Sequence, residues 1–163
     1  MPGKVIGKKL NFGFVGQISR QEDAIVVART TDGEVKFGQA VVLTEDNKIK
    51  AFGSSNVDAD FVGFALREVK QATIYATGES KYESNEVADV LSRGTLTVKL
   101  ASGTPAPGGK VYIRTVADTG KEIGDIESES DTGKNVALTN AIFTTGKVDA
   151  NGVVEVTILN RRM

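Results

Sequence analysis

The stretch Gly94–Ala101, GTLTVKLA, decides the fold class. Leu96, Val98 and Leu100 alternate there with Thr95, Thr97 and Lys99. A period of two places the first set on one face of a strand and predicts the second set in water. The same alternation returns at Val153–Leu159, where Val154, Val156 and Ile158 face one way and Glu155 and Thr157 the other. Asn151-Gly152 stands just before it and follows the apolar run Val136–Thr145, so the two segments read as a hairpin with an extended loop. Upstream, Asp46-Asn47 separates Gln39–Thr44 from Lys48–Phe52 and predicts a second hairpin. Further strands are expected at Ala24–Arg29, Phe61–Val69, Thr73–Ala76 and Lys110–Ala117. Ser84–Ser92 fits a short helix as well as a strand. Gly94 follows too closely for a helix to develop, which favours the strand. The predicted fold is all-β, a mainly antiparallel barrel or sandwich over residues 21–163, with residues 1–20 as an N-terminal arm. Two long polar loops interrupt it: Ser102–Gly109, SGTPAPGG, and Asp125–Gly133, DIESESDTG.

Composition narrows the chemistry. The 163 residues include 18 Gly, 3 Pro and no Trp, with 40% apolar and 25% charged side chains, which fits a globular domain and neither a disordered chain nor a membrane protein. There is no Cys, which removes disulfides, thiolate nucleophiles and cysteine-held metals. There is no His either, which removes the usual base near neutral pH and the commonest transition-metal ligand. The formal charge of −1 offers no excess of positive charge for gripping a nucleic acid. No run approaches the length of a membrane span, and Met1–Lys9 carries lysines without the apolar core of a signal peptide. The chain is therefore expected to be soluble, with neither nucleic acid nor membrane as partner.

Each constellation that invites a catalytic or binding reading has a plainer one. SGTPAPGGK lacks the Walker spacing, and Lys110 is followed by Val111 where Ser or Thr is needed. Asp125, Glu127, Glu129 and Asp131 alternate, an arrangement able to offer oxygens to a hard cation such as calcium. Ser130 occupies the place where a calcium loop needs Gly, and a solvated acidic loop explains the run as well. Asp58 and Asp60 could pose as an acid–base pair but are more economically turn formers before Phe61. Ser80-Lys81 lacks the spacing of a Ser–Lys enzyme, and no GxSxG occurs. Lys4, Lys8, Lys9 and Arg20 at one end and Arg161-Arg162 at the other read as solvated termini. Phe12, Phe14, Phe61 and Phe64 read as core residues. No enzymatic site, cofactor or metal is expected, and a structural or interaction protein is favoured.

The order of these segments resembles the small cement, or decoration, proteins of tailed bacteriophage capsids. GEVKFGQAVVLTEDNKIKAF (residues 33–52) shows a glycine introducing a strand, a turn and another strand. DFVGFALREVKQATIY (60–75) runs a strand through Gly63. VADVLSRGTLTVKLASGTPAPGGKVYIRT (87–115) runs strand, Gly, strand, loop, strand, with Ser-Arg-Gly-Thr before the second strand. The resemblance spans about Gly16 to Leu159 and is one of arrangement rather than motif.

Such a resemblance implies a β-barrel-like protein that assembles as a homotrimer on the outer capsid surface, binds the major capsid protein and strengthens the shell. It implies a virion location after synthesis in the bacterial host cytoplasm. Phe12, Phe14, Val15 and Ile18 are apolar enough to dock on the capsid or a neighbouring subunit, with Gly7, Gly13 and Gly16 letting the segment bend. The same residues could instead form the first strand of the domain's own core, since an arm and an edge strand share one alternation. Another virion part, such as a tail tube or head-completion protein, and a sugar- or peptide-binding β-sandwich are the alternatives.

Overall fold

The structure, a computed structural model, describes residues 11–68 and 81–162. Among these residues the regular elements are strands and one 3-10 turn at Asp58–Asp60. In chain order they are β1 (Ile18–Thr30), β2 (Val35–Lys36), β3 (Ala40–Leu43), β4 (Ile49–Ala51), β5 (Phe61–Ala65) and β6 (Lys81–Tyr82). After these come β7 (Val87–Ser102), β8 (Lys110–Arg114), β9 (Ile126–Glu127), β10 (Asn135–Val148) and β11 (Val153–Ile158). The expected strand Thr73–Ala76 lies outside the described residues. Ser84–Ser92 is extended from Val87 onward, and the strand does not stop at Gly94 but runs through it into Gly94–Ala101 as the single strand β7.

β7 is the spine of the molecule. Its C-terminal half pairs antiparallel with β11 through Val153↔Lys99 to Ile158↔Gly94 and parallel with β9 at Leu100↔Ile126. β9 pairs with β8, β8 with β10, and β10 with β11. The path therefore returns to β7, and the sheet closes as a barrel with no free edge. Its N-terminal half pairs with β1 and β5, β5 with β3, and β3 with β4. There the circuit is completed by the bridge between Thr31, just past β1, and Ile49 of β4. Both predicted hairpins form, β3–β4 over Asp46-Asn47 and β10–β11 over Asn151-Gly152.

Two apolar cores follow from this sharing. The larger contains Phe61, Phe64, Leu96, Val98, Phe143, Val154, Val156 and Ile158, the inward sets that alternation predicts for β7 and β11. The smaller contains Val41, Ile49, Val62, Ala65, Tyr82 and Val90. β5 is buried along its whole length because Phe61 and Phe64 serve the first core while Val62 and Ala65 serve the second. The Phe61 and Phe64 rings meet edge-to-face at 5.0 Å. Each fully buried side chain of this size stabilises the fold by roughly 1.5–3 kcal/mol.

The alternation in Gly94–Ala101 misleads on one face. Lys99 is exposed as expected, but Thr95 and Thr97 are buried, at 6% and 0% exposure. The Thr95 hydroxyl is 2.8 Å from that of Thr157, which is 2.8 Å from that of Thr144, and Thr97 is covered by the segment before β1. Threonine satisfies both roles: its methyl group packs, and its hydroxyl finds a partner when water is excluded. Glu155 lies on this same face, nearly buried, with the Arg20 guanidinium 3.5 Å away.

Candidate interaction surface

The segment Phe12–Gln17 is fastened to the barrel by its backbone. The Phe12 N–H donates to Asp149 Oδ2 at 3.1 Å, and Oδ1 of the same carboxylate accepts from Asn151 N and Val153 N at 2.8 and 2.9 Å. Burial alone would push the Asp149 carboxyl up, but these three N–H donors outweigh it and hold the group below its ordinary value. Gly16 N donates to Thr97 O at 2.7 Å, Thr97 N to Gln17 O at 2.9 Å, and Arg67 N to Gly16 O at 2.8 Å. The Thr97 hydroxyl donates to Phe14 O at 2.5 Å. Gly16 sits at φ +80, and a Cβ there would meet Arg67 N and Gly38 N at 2.9 Å. Only glycine lets the chain pass between these strands.

The four residues singled out from sequence are thereby separated. Ile18 begins β1 opposite Leu96 and packs, half-buried, against the larger core. Phe12 and Val15 are half-buried. Phe14 is not a core residue, contrary to the sequence reading: it is 64% exposed, because the turn closed by Gln17 N to Phe14 O at 3.2 Å directs it outward. The Arg67 guanidinium lies 4.5 Å over the Phe14 ring and 6.0 Å from that of Phe37, within cation–π range. Phe37 in turn meets Tyr82 edge-on at 5.1 Å. Nothing in the sequence brings Arg67 and Phe37 to Phe14, because they are contributed by segments on either side of β3, β4 and β5.

Phe14 and Arg67 form a ridge between two open grooves. One, of about 570 Å³, runs along Gln17, Ile18, Gln21, Leu66 and Asp89. The other, also about 570 Å³, is lined by Val15, Glu34, Lys36, Phe37 and Lys81. Both are open to solvent and lined by side chains of mixed charge, Arg67 and Asp89 in the first and Glu34, Lys36, Arg67 and Lys81 in the second.

The polar clusters resolve into structural roles. Glu127 of the acidic segment is 1% exposed and lies beside Arg114 Nη1, Lys121 Nζ, Asn135 Nδ2 and Ser102 Oγ at 3.3, 2.8, 2.7 and 3.0 Å. Burial pushes its carboxyl up, yet these partners together leave it below its ordinary value. Asp131 Oδ2 takes Arg114 Nη1 at 2.7 Å, Asp125 Oδ2 accepts from Glu122 N at 2.7 Å, and Glu129 Oε1 accepts from Thr104 N at 3.4 Å. Glu127 and Asp131 thus share the Arg114 guanidinium, while Asp125 and Glu129 turn to separate backbone N–H groups. Asp60 accepts from Val57 N at 3.0 Å and closes the 3-10 turn. Asp58 takes Thr139 N and Oγ1 at 2.8 and 2.6 Å and Arg162 Nη2 at 3.2 Å. Arg162 is therefore pinned to the barrel, where the sequence suggested a solvated end.

Comparison with known proteins finds a family and solved structures that are similar to this chain. The family described as "Structural cement protein (E217 gp24/Pam3 gp6)" matches residues 2–159. A solved structure titled "The capsid of Myoviridae Phage XM1" contains a chain with a TM-score of 0.75 at 18% identity, covering 98% of this chain and 98% of that one. At that identity the likeness speaks for the fold. No curated protein matches the sequence.

Proposed function

The chain belongs to the phage structural cement protein family, and on that premise we propose that it binds the outer surface of an assembled phage head and strengthens it. Its partner is the major capsid protein, its binding unit a homotrimer, and its place the virion surface after synthesis in the host cytoplasm. The N-terminal segment, residues 1–20, makes the contact. Phe14 enters the partner surface, Phe12 and Val15 widen the patch, and Ile18 anchors the segment through β1.

The observation that carries the contact site is an aromatic side chain 64% exposed on a backbone hydrogen-bonded to both barrel halves. An aromatic ring held in place loses little conformational freedom on binding, and aromatic and Arg side chains dominate interface energetics. The likeness to a chain from the capsid of phage XM1 supports the location. A protein that binds only the assembled lattice stabilises that lattice by mass action. Three linked copies would raise avidity beyond that of any single contact.

Purified protein incubated with empty shells and sedimented tests this reading. Binding that saturates at a fixed ratio and raises the shell melting temperature is expected, together with a trimer mass for the free protein. Failure to co-sediment, with assembly of the protein alone into rings or tubes, would overturn it in favour of a tail component.

A further inference from the structure

We propose that Lys121 and Asn135 become joined by an intramolecular isopeptide bond, with Glu127 carrying the proton between them. The two side chains occupy the two oxygens of one carboxylate. Lys121 Nζ lies 2.8 Å from Glu127 Oε1, and Asn135 Nδ2 donates to Glu127 Oε2 at 2.7 Å. Glu127 sits on β9 at 1% exposure, and Ser102 Oγ and Arg114 Nη1 fix its orientation at 3.0 and 3.3 Å. The carboxamide is held in the sense the reaction needs. Its Oδ1 accepts the Asp131 backbone N–H at 2.9 Å, and Nδ2 also donates to Glu129 O at 2.9 Å.

The step balances without any outside reagent. The Glu127 carboxylate takes a proton from the Lys121 ammonium, and the freed amine attacks Asn135 Cγ. Negative charge develops on Oδ1, where the Asp131 N–H meets it. Glu127 hands that proton to Nδ2, the Cγ–Nδ2 bond breaks, and the second proton shed by Nζ as the Nζ–Cγ amide forms leaves with the ammonia as ammonium. Nucleophile and leaving group are each within hydrogen-bond reach of the proton carrier, a geometric requirement for such catalysis. The partners that hold Glu127 in its charged form make the reaction slow, a single maturation event per chain.

The location gives the bond a purpose. Between β8 and β10 the chain runs through residues 115–134, where the two-residue β9 is the one named strand, and β9 completes the barrel built on the C-terminal half of β7. A covalent tie from Lys121 to the first residue of β10 would lock that closure against an outward load. The inference is independent of capsid binding, since it concerns only groups within one chain.

The test is the intact mass of the full chain under denaturing conditions, taken fresh and after prolonged incubation at neutral pH, followed by peptide mapping. The expected product is lighter by one ammonia. Trypsin no longer cuts after Lys121, and fragmentation finds the Lys121 and Asn135 peptides joined. Lys121→Arg, which keeps a cation beside Glu127, holds the full mass. An unchanged mass after incubation would overturn the proposal. So would an ammonia loss that maps to cyclisation at Asn151-Gly152, or one that persists in the Lys121→Arg protein.

Discussion

Gly63 offers a sharp test of how the two barrel halves are joined. It lies in β5, where Phe64 pairs with Leu91 and Ala65 with Val90 of β7, and Val41 of β3 lies opposite on the other side. Its backbone is ordinary for a strand, so conformational strain does not explain the glycine. Space does. A Cβ at this position would stand 2.2 Å from Leu91 O, 2.8 Å from Val90 Cγ1 and 3.0 Å from Leu91 C. Leu91 O belongs to the spine strand and cannot swing aside like a side-chain tip, so Gly63→Ala must push β5 off β7 by about an ångström. Overpacking of this kind costs roughly 1–3 kcal/mol. A weakened ladder hydrogen bond adds about 1 kcal/mol. For a chain of this length each kcal/mol moves the melting temperature by roughly 2–4 °C, so a fall of about 10 °C is expected. Gly53→Ala is the control, because its Cβ meets only Asn56 Oδ1 at 3.5 Å. Thermal unfolding followed by circular dichroism, with a urea titration beside it, separates the two variants. If Gly63→Ala melts within 2 °C of the parent, or Gly53→Ala falls equally far, the close approach of β5 to β7 does not govern stability and the reasoning is wrong.

Thr97→Val removes the hydroxyl that donates to Phe14 O while keeping the shape, so stability should drop by about 1–2 kcal/mol and limited proteolysis should open the segment before β1; equal protease resistance would show that the backbone bonds suffice. Phe14→Ala should leave the melting temperature within about 1 °C of the parent, as expected for an exposed site, while weakening retention on shells; unimpaired retention would move the contact elsewhere. Asp58 is held below the ordinary carboxylate range because bonds from Thr139 and Arg162 outweigh the opposing effect of burial. The native state therefore favours its charged form, so the stability it contributes is present at neutral pH and is lost as pH falls below about 4. Melting curves between neutral and acid pH should show Asp58→Asn less stable at neutrality and losing less on acidification; parallel curves would remove Asp58 from the acid response.

Much of the fold is legible in the sequence, for reasons that particular residues make plain. Leu96, Val98, Val154, Val156 and Ile158 alternate because each strand has one face in the larger core, and all are buried as that period requires. Asp46-Asn47 and Asn151-Gly152 announce hairpins because their residues tolerate positive φ, found at 62° for Asn47 and 74° for Gly152. The family was legible too, from the order of strands and loops rather than from any motif. Its profile matches residues 2–159. Thr97 was misassigned because alternation reports which face a side chain takes, and another segment can cover that face. Phe14 reads from sequence either as core or as a docking residue, because hydrophobicity alone cannot tell a buried aromatic from one presented outward, and its 64% exposure removes the core reading.

Composition and local pattern, then, determined by themselves that this is a β protein without cysteine or histidine chemistry, where its hairpins turn, and which strand faces are apolar. These are properties of residue type and of neighbours along the chain. Tertiary structure alone decided that β7 serves two barrels, that Arg67 and Phe37 meet Phe14, and that Lys121 and Asn135 share the Glu127 carboxylate. Those juxtapositions depend on strand register and closure, set by long-range pairing that no local window of sequence encodes.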